Sequence, residues 1–264
     1  VIVSSAKGQD WLHQNNAWVP GPDGTSVRSP DDSPQPTSLT WSMVPGGVEQ
    51  SNDSSRVTKD FTEMGVSGLS SLDDYALVLE EAVDAWASAA DITNLGYIAE
   101  TGDVPIGPSG LLFEDRGTAS GVGHIRFMAF DQAGLGGSSA LAQATPIPEP
   151  GTPVDNGYNL SRAGDIRFRS DAYLWDDLLG EDYFLNIAMH EIGHILGFAH
   201  NSVPDSVLSA PYTELTLGNG DIAGAVAIYG PAGGAAIPEP ASLMLAMVSM
   251  VCLTGWRPRK RMAV

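Results

Sequence analysis

The chain has 264 residues, and its 13 Lys and Arg against 32 Asp and Glu give a formal net charge of −19. A body this acidic repels phosphate backbones, so we expect no nucleic-acid partner, and a single Cys excludes intramolecular disulfides and cysteine-rich zinc modules. The hydrophobic share of 43% is enough to build the core of one domain with tails.

The first third of the chain predicts an irregular start, a strand and a helix. Residues 1–36 are rich in Asn, Pro, Gly, Ser and Asp and predict an N-terminal leader or irregular segment. Ser38–Val44 predicts a first strand. Ser71 then precedes an amphipathic helix over Leu72–Ala90, and Asp74 completes an acidic capping box. We expect this helix to be core scaffolding without chemistry.

The middle and the end of the body predict further strands, a long loop and two helices. Three strands are expected at Ile92–Ala99, His124–Phe130 and Asp165–Phe168. Residues 134–164 are rich in Gly, Pro and Ser and predict a long loop, which in a compact domain is usually functional or ion-bound. Helices are expected at about Tyr183–Leu196 and Asp221–Tyr229.

The segment HEIGHILGFAH, residues 190–200, carries the chemistry. His190 and His194 are four residues apart, so on a helix they can offer two imidazoles to one ion. Glu191 can reach a water on that ion. Gly197 favours a helix stop with a positive φ, after which the chain can return and bring His200 to the same ion.

Three imidazoles leave a fourth position open, which is typical of a catalytic zinc site and not of a structural one. Zinc lowers the pKa of its bound water towards ~7 and polarises a carbonyl. Glu191 would take the proton as the water attacks and pass it to the leaving amine. Activity should fall as the ligand imidazoles protonate. The alternative is a non-catalytic metal site, or three ordinary surface imidazoles.

The full pattern HExxHxxGxxH matches the metzincin signature, and the sequence resembles the matrixin branch of the metzincins over roughly residues 37–230. The resemblance also rests on Asn219–Gly224 with Ile228–Gly230, and on Gly164–Phe168. It implies an α+β fold, with a twisted mixed five-stranded sheet, three helices and a zinc cleft. It also implies a secreted zinc-dependent endopeptidase with His190, His194 and His200 as ligands.

The chain departs from the matrixin pattern at several positions. Leu208 stands where the family's Met-turn has its Met, although the apolar packing can survive the exchange. Gln143 and Arg167 occupy positions where the family often has His ligands, so we predict no structural zinc. No Cys precedes the active helix, which removes the family's thiol latency switch. Pro211 and Tyr212 resemble the outer wall of the specificity pocket.

Calcium is a further implication of the resemblance. Asp165 matches a position that helps hold calcium in the family, and Asp171 or Asp155 could assist. The alternative is that these residues are solvated turn acids, and spacing alone does not decide between the two.

The C-terminal end predicts a sorting tail. Residues 231–240 form a flexible linker with the motif Pro-Glu-Pro, and 241–264 begin with 16 uncharged residues followed by a basic end. Sixteen helical residues span roughly 24 Å, which is marginal for the ~30 Å core of a bilayer. The basic end holds four of the chain's 13 Lys and Arg and would stay cytoplasmic. The rest of the chain would lie outside, and its 9 cations against 32 acids give it a net charge of −23.

The three-part order of this tail resembles a PEP-CTERM sorting signal. It implies export, transient membrane anchoring by the tail, processing by an exosortase, and delivery to the cell envelope or the extracellular space. Two functional hypotheses follow. The leading one is an exported zinc endopeptidase that acts on protein or peptide. The alternative, motivated by Leu208 and by the missing structural-zinc ligands at Gln143 and Arg167, is a non-catalytic envelope or extracellular-matrix protein that retains a metzincin fold.

Overall fold

A computed structural model describes residues 2–4, 10–12, 37–51, 53–107, 110–111, 115–132, 140–145, 162–171, 180–201, 203–209 and 214–234. Contacts divide the chain into two units, Val1–Gly234 and Ala235–Val264, and the second unit lies outside the described residues. Within the described residues, no helix has the length and apolarity needed to cross a membrane. The predicted tail falls outside them.

The described residues contain nine strands and three α-helices. The strands are β1 (Ile2–Ser4), β2 (Asp10–Leu12), β3 (Thr37–Met43), β4 (Glu49–Gln50), β5 (Asp53–Val57), β6 (Ile92–Ile98), β7 (Ile125–Phe130), β8 (Ala142–Ala144) and β9 (Asp165–Arg169). The helices are α1 (Leu72–Ala89), α2 (Gly180–Ile195) and α3 (Asn219–Tyr229). The expected α+β fold with three helices is therefore confirmed.

Five of the strands form one mixed sheet in the order β6-β3-β7-β9-β8. The first four are parallel, and β8 pairs antiparallel to β9 at the edge. The pairs β1–β2 and β4–β5 form two small separate ladders. This is the mixed five-stranded sheet that the resemblance implies.

The central strand β7 is buried along its whole length, where the sequence suggests alternation between two faces. Parallel strands covered on both faces read as continuous buried runs. Arg126 lies within this strand and is still fully buried, because its guanidinium donates to Glu100 and to the carbonyls of Val104 and Pro105.

Helices α1 and α2 pack together and contribute many of the residues of the main core. Helix α1 begins as predicted: the Ser71 hydroxyl accepts from Asp74 N, and the Asp74 carboxylate accepts from Ser71 N. The Trp86 indole donates to Met189 O at 2.9 Å, which fixes α1 against α2. These contacts fix the position of α2, the helix that carries His190 and His194.

The prediction of a continuous loop over residues 134–164 is wrong at one point, because Ala142–Ala144 form the edge strand β8. Three residues between Gly- and Pro-rich sequence are too few to show the alternation from which a strand could be predicted. Their strand conformation depends on pairing with β9, in which Gln143 lies opposite Arg167.

Candidate metal centre

The end of α2 brings the three motif histidines together. Gly197 adopts φ +97°, the left-handed conformation that the sequence predicts for the helix stop. Phe198 N donates to Gly193 O at 2.9 Å, which closes the last turn. The chain then reverses so that His200 returns to the face of α2 that carries His190 and His194.

These three side chains, here called the imidazole cluster, converge through their Nε2 atoms. The Nε2 atoms of His190 and His194 are 3.0 Å apart, and each lies 3.2 Å from Nε2 of His200. His190 is buried, His194 is half-buried and His200 is exposed. The cluster therefore has one side that is open to an incoming molecule.

Two backbone carbonyls fix how the rings are protonated. Nδ1 of His190 lies 2.8 Å from Val207 O, and Nδ1 of His194 lies 2.7 Å from Phe198 O. Because a carbonyl only accepts, each Nδ1 carries the proton and donates it. In the neutral ring the Nε2 lone pair is then free to act as a ligand, so both imidazoles aim a lone pair at the shared point.

The cluster fits a zinc ion. Tetrahedral coordination with Zn–N distances of 2.0–2.1 Å requires nitrogen atoms about 3.3 Å apart, and the separations found are 3.0–3.2 Å. Burial, followed by the neighbouring His194, lowers the pKa of His190 to about 3, and burial also lowers the pKa of His194. Neutral imidazole is the form that binds a metal.

Glu191 is buried beside this cluster, and its Oε2 accepts from Ala144 N of the edge strand β8 at 2.7 Å. Burial raises the pKa of its carboxyl to about 7, against the opposing effects of the Ala144 hydrogen bond and the charge of Arg167. A carboxylate that binds its proton near neutral pH is suited to general base catalysis.

The buried carboxylate of Asp221, on α3, supports the imidazole cluster through its hydrogen bond to Val207. Asp221 accepts from Ser206 Oγ at 2.6 Å, from Val207 N at 3.0 Å and from Gly218 N at 2.9 Å. The same Val207 orients the ring of His190 through its carbonyl. This role is not visible in the sequence, because an acid in the first turn of a helix is an ordinary cap and two of the three partners, Ser206 and Val207, lie 15 and 14 residues away.

Leu208, at the position of the family's Met, is buried against the active helix. Its Cδ2 lies so close to Gly193 that a Cβ at that glycine would be 2.9 Å away. Leu208 therefore packs closely against α2 at Gly193, one residue before His194. The apolar packing expected for this exchange is present.

Among the described residues, the calcium candidates Asp165 and Asp171 and the strand-end His124 are not part of the imidazole cluster. His124 accepts at Nδ1 from Thr40, and burial followed by the charge of Arg116 lowers its pKa to about 4. Asp165 is fully buried beside Arg116, so the alternative that this residue is a solvated turn acid is wrong. Asp171 is half-exposed and pairs with Arg169 at 3.1 Å. Asp155, Pro211 and Tyr212 lie outside the described residues.

Fold and site together define the class: a metzincin-like α+β fold, with a mixed sheet and three imidazoles converging at the end of α2. A family model described as Matrixin matches residues 73–230, and the chain belongs to the matrixin family. A second model, the PEP-CTERM protein-sorting motif, matches residues 236–260. Both resemblances drawn from the sequence are thus confirmed.

Several curated proteins are similar to parts of the chain. Matrilysin of Rattus norvegicus is 38% identical over 95 residues, which are 32% of this chain and 34% of matrilysin. Matrix metalloproteinase-2 of Drosophila melanogaster is 30% identical over 194 residues, 71% of this chain and 18% of that protein. Stromelysin-1 of Rattus norvegicus is 32% identical over 114 residues, which are 41% of this chain and 21% of stromelysin-1. The chain thus spans about a third or less of each of these relatives.

Proposed function

We propose that the chain is a zinc-dependent endopeptidase in which His190, His194 and His200 hold one catalytic zinc and Glu191 is the general base. The observation that carries this proposal is the convergence of three Nε2 atoms within 3.2 Å, with two of the rings oriented by backbone carbonyls. Membership of the matrixin family supports the choice of zinc.

Zinc bound here would supply Lewis acidity, lowering the pKa of a water and polarising the scissile carbonyl. Glu191 then accepts the proton that the attacking water loses and returns it to the leaving amine. The Ala144 N–H holds Oε2, which leaves Oε1 to exchange the proton. Val207 O and Phe198 O keep both helix imidazoles in the tautomer that presents Nε2.

We further propose that the protein is exported and delivered to the cell envelope or the extracellular space. In this organisation, residues 1–36 are a leader, 37–230 the peptidase domain, 231–240 a linker and 241–264 a tail that anchors the protein transiently until an exosortase processes it. The match to the sorting motif supports this arrangement, as does the separation of an acidic body from a basic end. Secreted or envelope protein is then the expected substrate.

The decisive experiment compares the zinc-loaded full chain, purified in mild detergent because of its apolar tail, with Glu191→Ala and Glu181→Ala. Glu181 lies exposed in the first turn of the same helix and serves as the matched control. Cleavage of a broad peptide library should fall by about 10³-fold in Glu191→Ala, with one zinc per chain retained, because general base catalysis contributes 10²–10⁴-fold. The Glu181→Ala variant should cleave like the wild type.

Equal cleavage by wild type and Glu191→Ala would refute the role of Glu191. The second candidate function, a non-catalytic envelope protein with a metzincin fold, rests on Leu208 in the position of the Met. That candidate is favoured if the wild type binds one zinc and cuts no peptide in the library.

A further inference from the structure

A second group of buried polar side chains lies where β7 and β9 begin, and we call it the arginine cluster: Arg116, Asp165, Arg126 and Glu100. The side chains of all four are at most 1% exposed. Arg116 pairs with Asp165 at 3.0 Å, and Arg126 pairs with Glu100. The two pairs adjoin, because Arg126 and Asp165 lie opposite each other in the pairing of β7 with β9.

Arg116 connects two strands through oxygen atoms. Its Nη1 donates to His124 O, immediately before β7, at 3.2 Å, and its Nη2 lies 3.0 Å from Oδ1 of Asp165, the first residue of β9. A backbone carbonyl and a carboxylate are also the oxygen ligands that Ca²⁺ prefers. The guanidinium thus contacts the kinds of atoms that a calcium ion would bind.

The charges of the cluster balance without a metal. Two guanidiniums face two carboxylates, so the four buried groups are neutral as a set. A divalent cation added beside Asp165 would lie near two positive side chains in a region that water does not screen, where repulsion between like charges is strong. The residues around Asp165 therefore do not fit calcium, although the family resemblance implies it there.

We propose that the Arg116 guanidinium occupies the cation position at Asp165, so that this part of the sheet is held by an internal cation and does not use calcium. The contact at Asp165 is an ion pair without the alignment of a hydrogen bond, and neither carboxylate oxygen has an aligned donor among the described residues. Such a carboxylate would attract calcium if the guanidinium were displaced. That possibility makes the proposal open to a direct test.

The test measures thermal unfolding and calcium content of the full chain at constant zinc, with and without 5 mM calcium (about the concentration that saturates weak extracellular sites). The variants are Arg116→Met, Asp165→Asn and the pair together. Arg56→Met is the matched control, because Arg56 pairs with Asp53 at 3.0 Å on the exposed strand β5. Stability and metal content are read independently of peptidase activity.

We expect calcium to change the Tm of the wild type by less than about 1 °C. Arg116→Met should lower Tm by roughly 10 °C, because it leaves a buried carboxylate without its partner, whereas Arg56→Met should have almost no effect. The double variant should unfold closer to the wild type than Arg116→Met does, since neither charge is left alone. If a single variant fails to fold, the double variant still provides a folded protein on which the effect of calcium can be measured.

A rise of several degrees in the wild-type Tm with calcium, lost in Asp165→Asn or in the double variant, would overturn the proposal. An unchanged Tm in Arg116→Met would overturn it as well. A calcium effect that survives the loss of the Asp165 carboxylate would place the ion elsewhere and support the proposal for Asp165.

Discussion

The imidazole cluster and the arginine cluster are two groups of polar side chains in one domain, and they differ in what balances them: the first is open to solvent at His200, whereas the second is buried throughout. In the imidazole cluster, three Nε2 atoms lie 3.0–3.2 Å apart, and those of His190 and His194 are acceptors because their Nδ1 atoms donate to backbone carbonyls. In the arginine cluster, each carboxylate faces a guanidinium. Like acceptors brought together need an external cation, whereas balanced opposite charges do not.

From this difference we expect the imidazole cluster to serve function and the arginine cluster to serve the stability of the fold. Buried polar groups that lack internal partners cost free energy and are kept where a ligand completes them. A buried ion pair that is already complete acts only on folding, and removing one partner is costly. Changes in the first cluster should therefore alter zinc binding and activity, and changes in the second should alter stability alone.

The largest effect is expected from His194→Ala. Structural zinc sites bind with about 10–16 kcal/mol, or roughly 3–4 kcal/mol per ligand, so losing one imidazole should weaken the zinc Kd by about 10³-fold and abolish cleavage. Competition with a chromophoric chelator measures the Kd. His124→Asn removes a histidine outside the cluster and should keep one zinc per chain. Equal zinc affinity in both variants would contradict the division between the two clusters.

The next largest effect is expected from Arg126→Met in the arginine cluster. This change leaves Glu100 buried without its partner and should lower the free energy of unfolding by about 3–5 kcal/mol. Urea unfolding measures the loss, and Arg126→Met combined with Glu100→Gln should recover part of it. The zinc Kd of the folded variant should remain that of the wild type. A weakened zinc Kd would show that the two clusters are coupled.

Asp221→Asn tests a residue that acts on the imidazole cluster from a distance. An Asn side chain cannot accept all three hydrogen bonds that hold Ser206, Val207 and Gly218, so the carbonyl that orients His190 should shift. Loss of such support typically weakens metal affinity by 10–100-fold, and we expect about 10-fold. Asp73→Asn, in the exposed first turn of α1, is the control. A loss of stability with an unchanged zinc Kd would assign Asp221 to folding only.

At neutral pH the smallest effect is that of His124, which is held neutral next to the arginine cluster and changes stability only as the pH falls. Its pKa is about 4 in the folded protein, against about 6.5 when unfolded. As pH falls from 6.5 towards 4, the unfolded chain binds more protons, so stability falls across that interval and levels off below it. Because the ring is partly exposed, we expect about 2 kcal/mol.

Urea unfolding of zinc-free protein at pH 7.5 and 4.5 measures this slope. His124→Asn keeps an acceptor for Thr40 and does not titrate, so it should lose about 2 kcal/mol less than the wild type between the two pH values. Identical losses in both proteins would show that His124 does not contribute to the acid sensitivity of the fold.

Features that depend on local sequence were predictable. The capping box at Ser71 marks the start of α1 because both of its hydrogen bonds form within three residues. The spacing of His190, His194 and His200, with Gly197 between the last two, encodes both the helix face and the turn that returns the chain. Helical periodicity and a required positive φ are visible in the sequence itself.

Features that depend on distant partners were not predictable. Asp165 is notable in the sequence only through the family resemblance, and its pairing with Arg116 is visible only once the fold brings the two together at the start of β9. The strand β8 exists through its pairing with β9. Asp221 holds Val207, whose carbonyl orients His190, only because α3 packs against the turn that contains Val207. In each case the deciding contact joins segments that are far apart in the chain.

The central claim is that the three imidazoles of α2 and its following turn hold one zinc and leave a position for water. X-ray absorption at the zinc edge of the full chain tests it most directly, with His200→Ala as the comparison. We predict one zinc per wild-type chain, with three nitrogen ligands at about 2.0–2.1 Å and one oxygen, and two nitrogen ligands in any zinc that the variant retains. The same three-nitrogen spectrum in His200→Ala, or a wild-type zinc bound mainly by oxygen, would contradict the account.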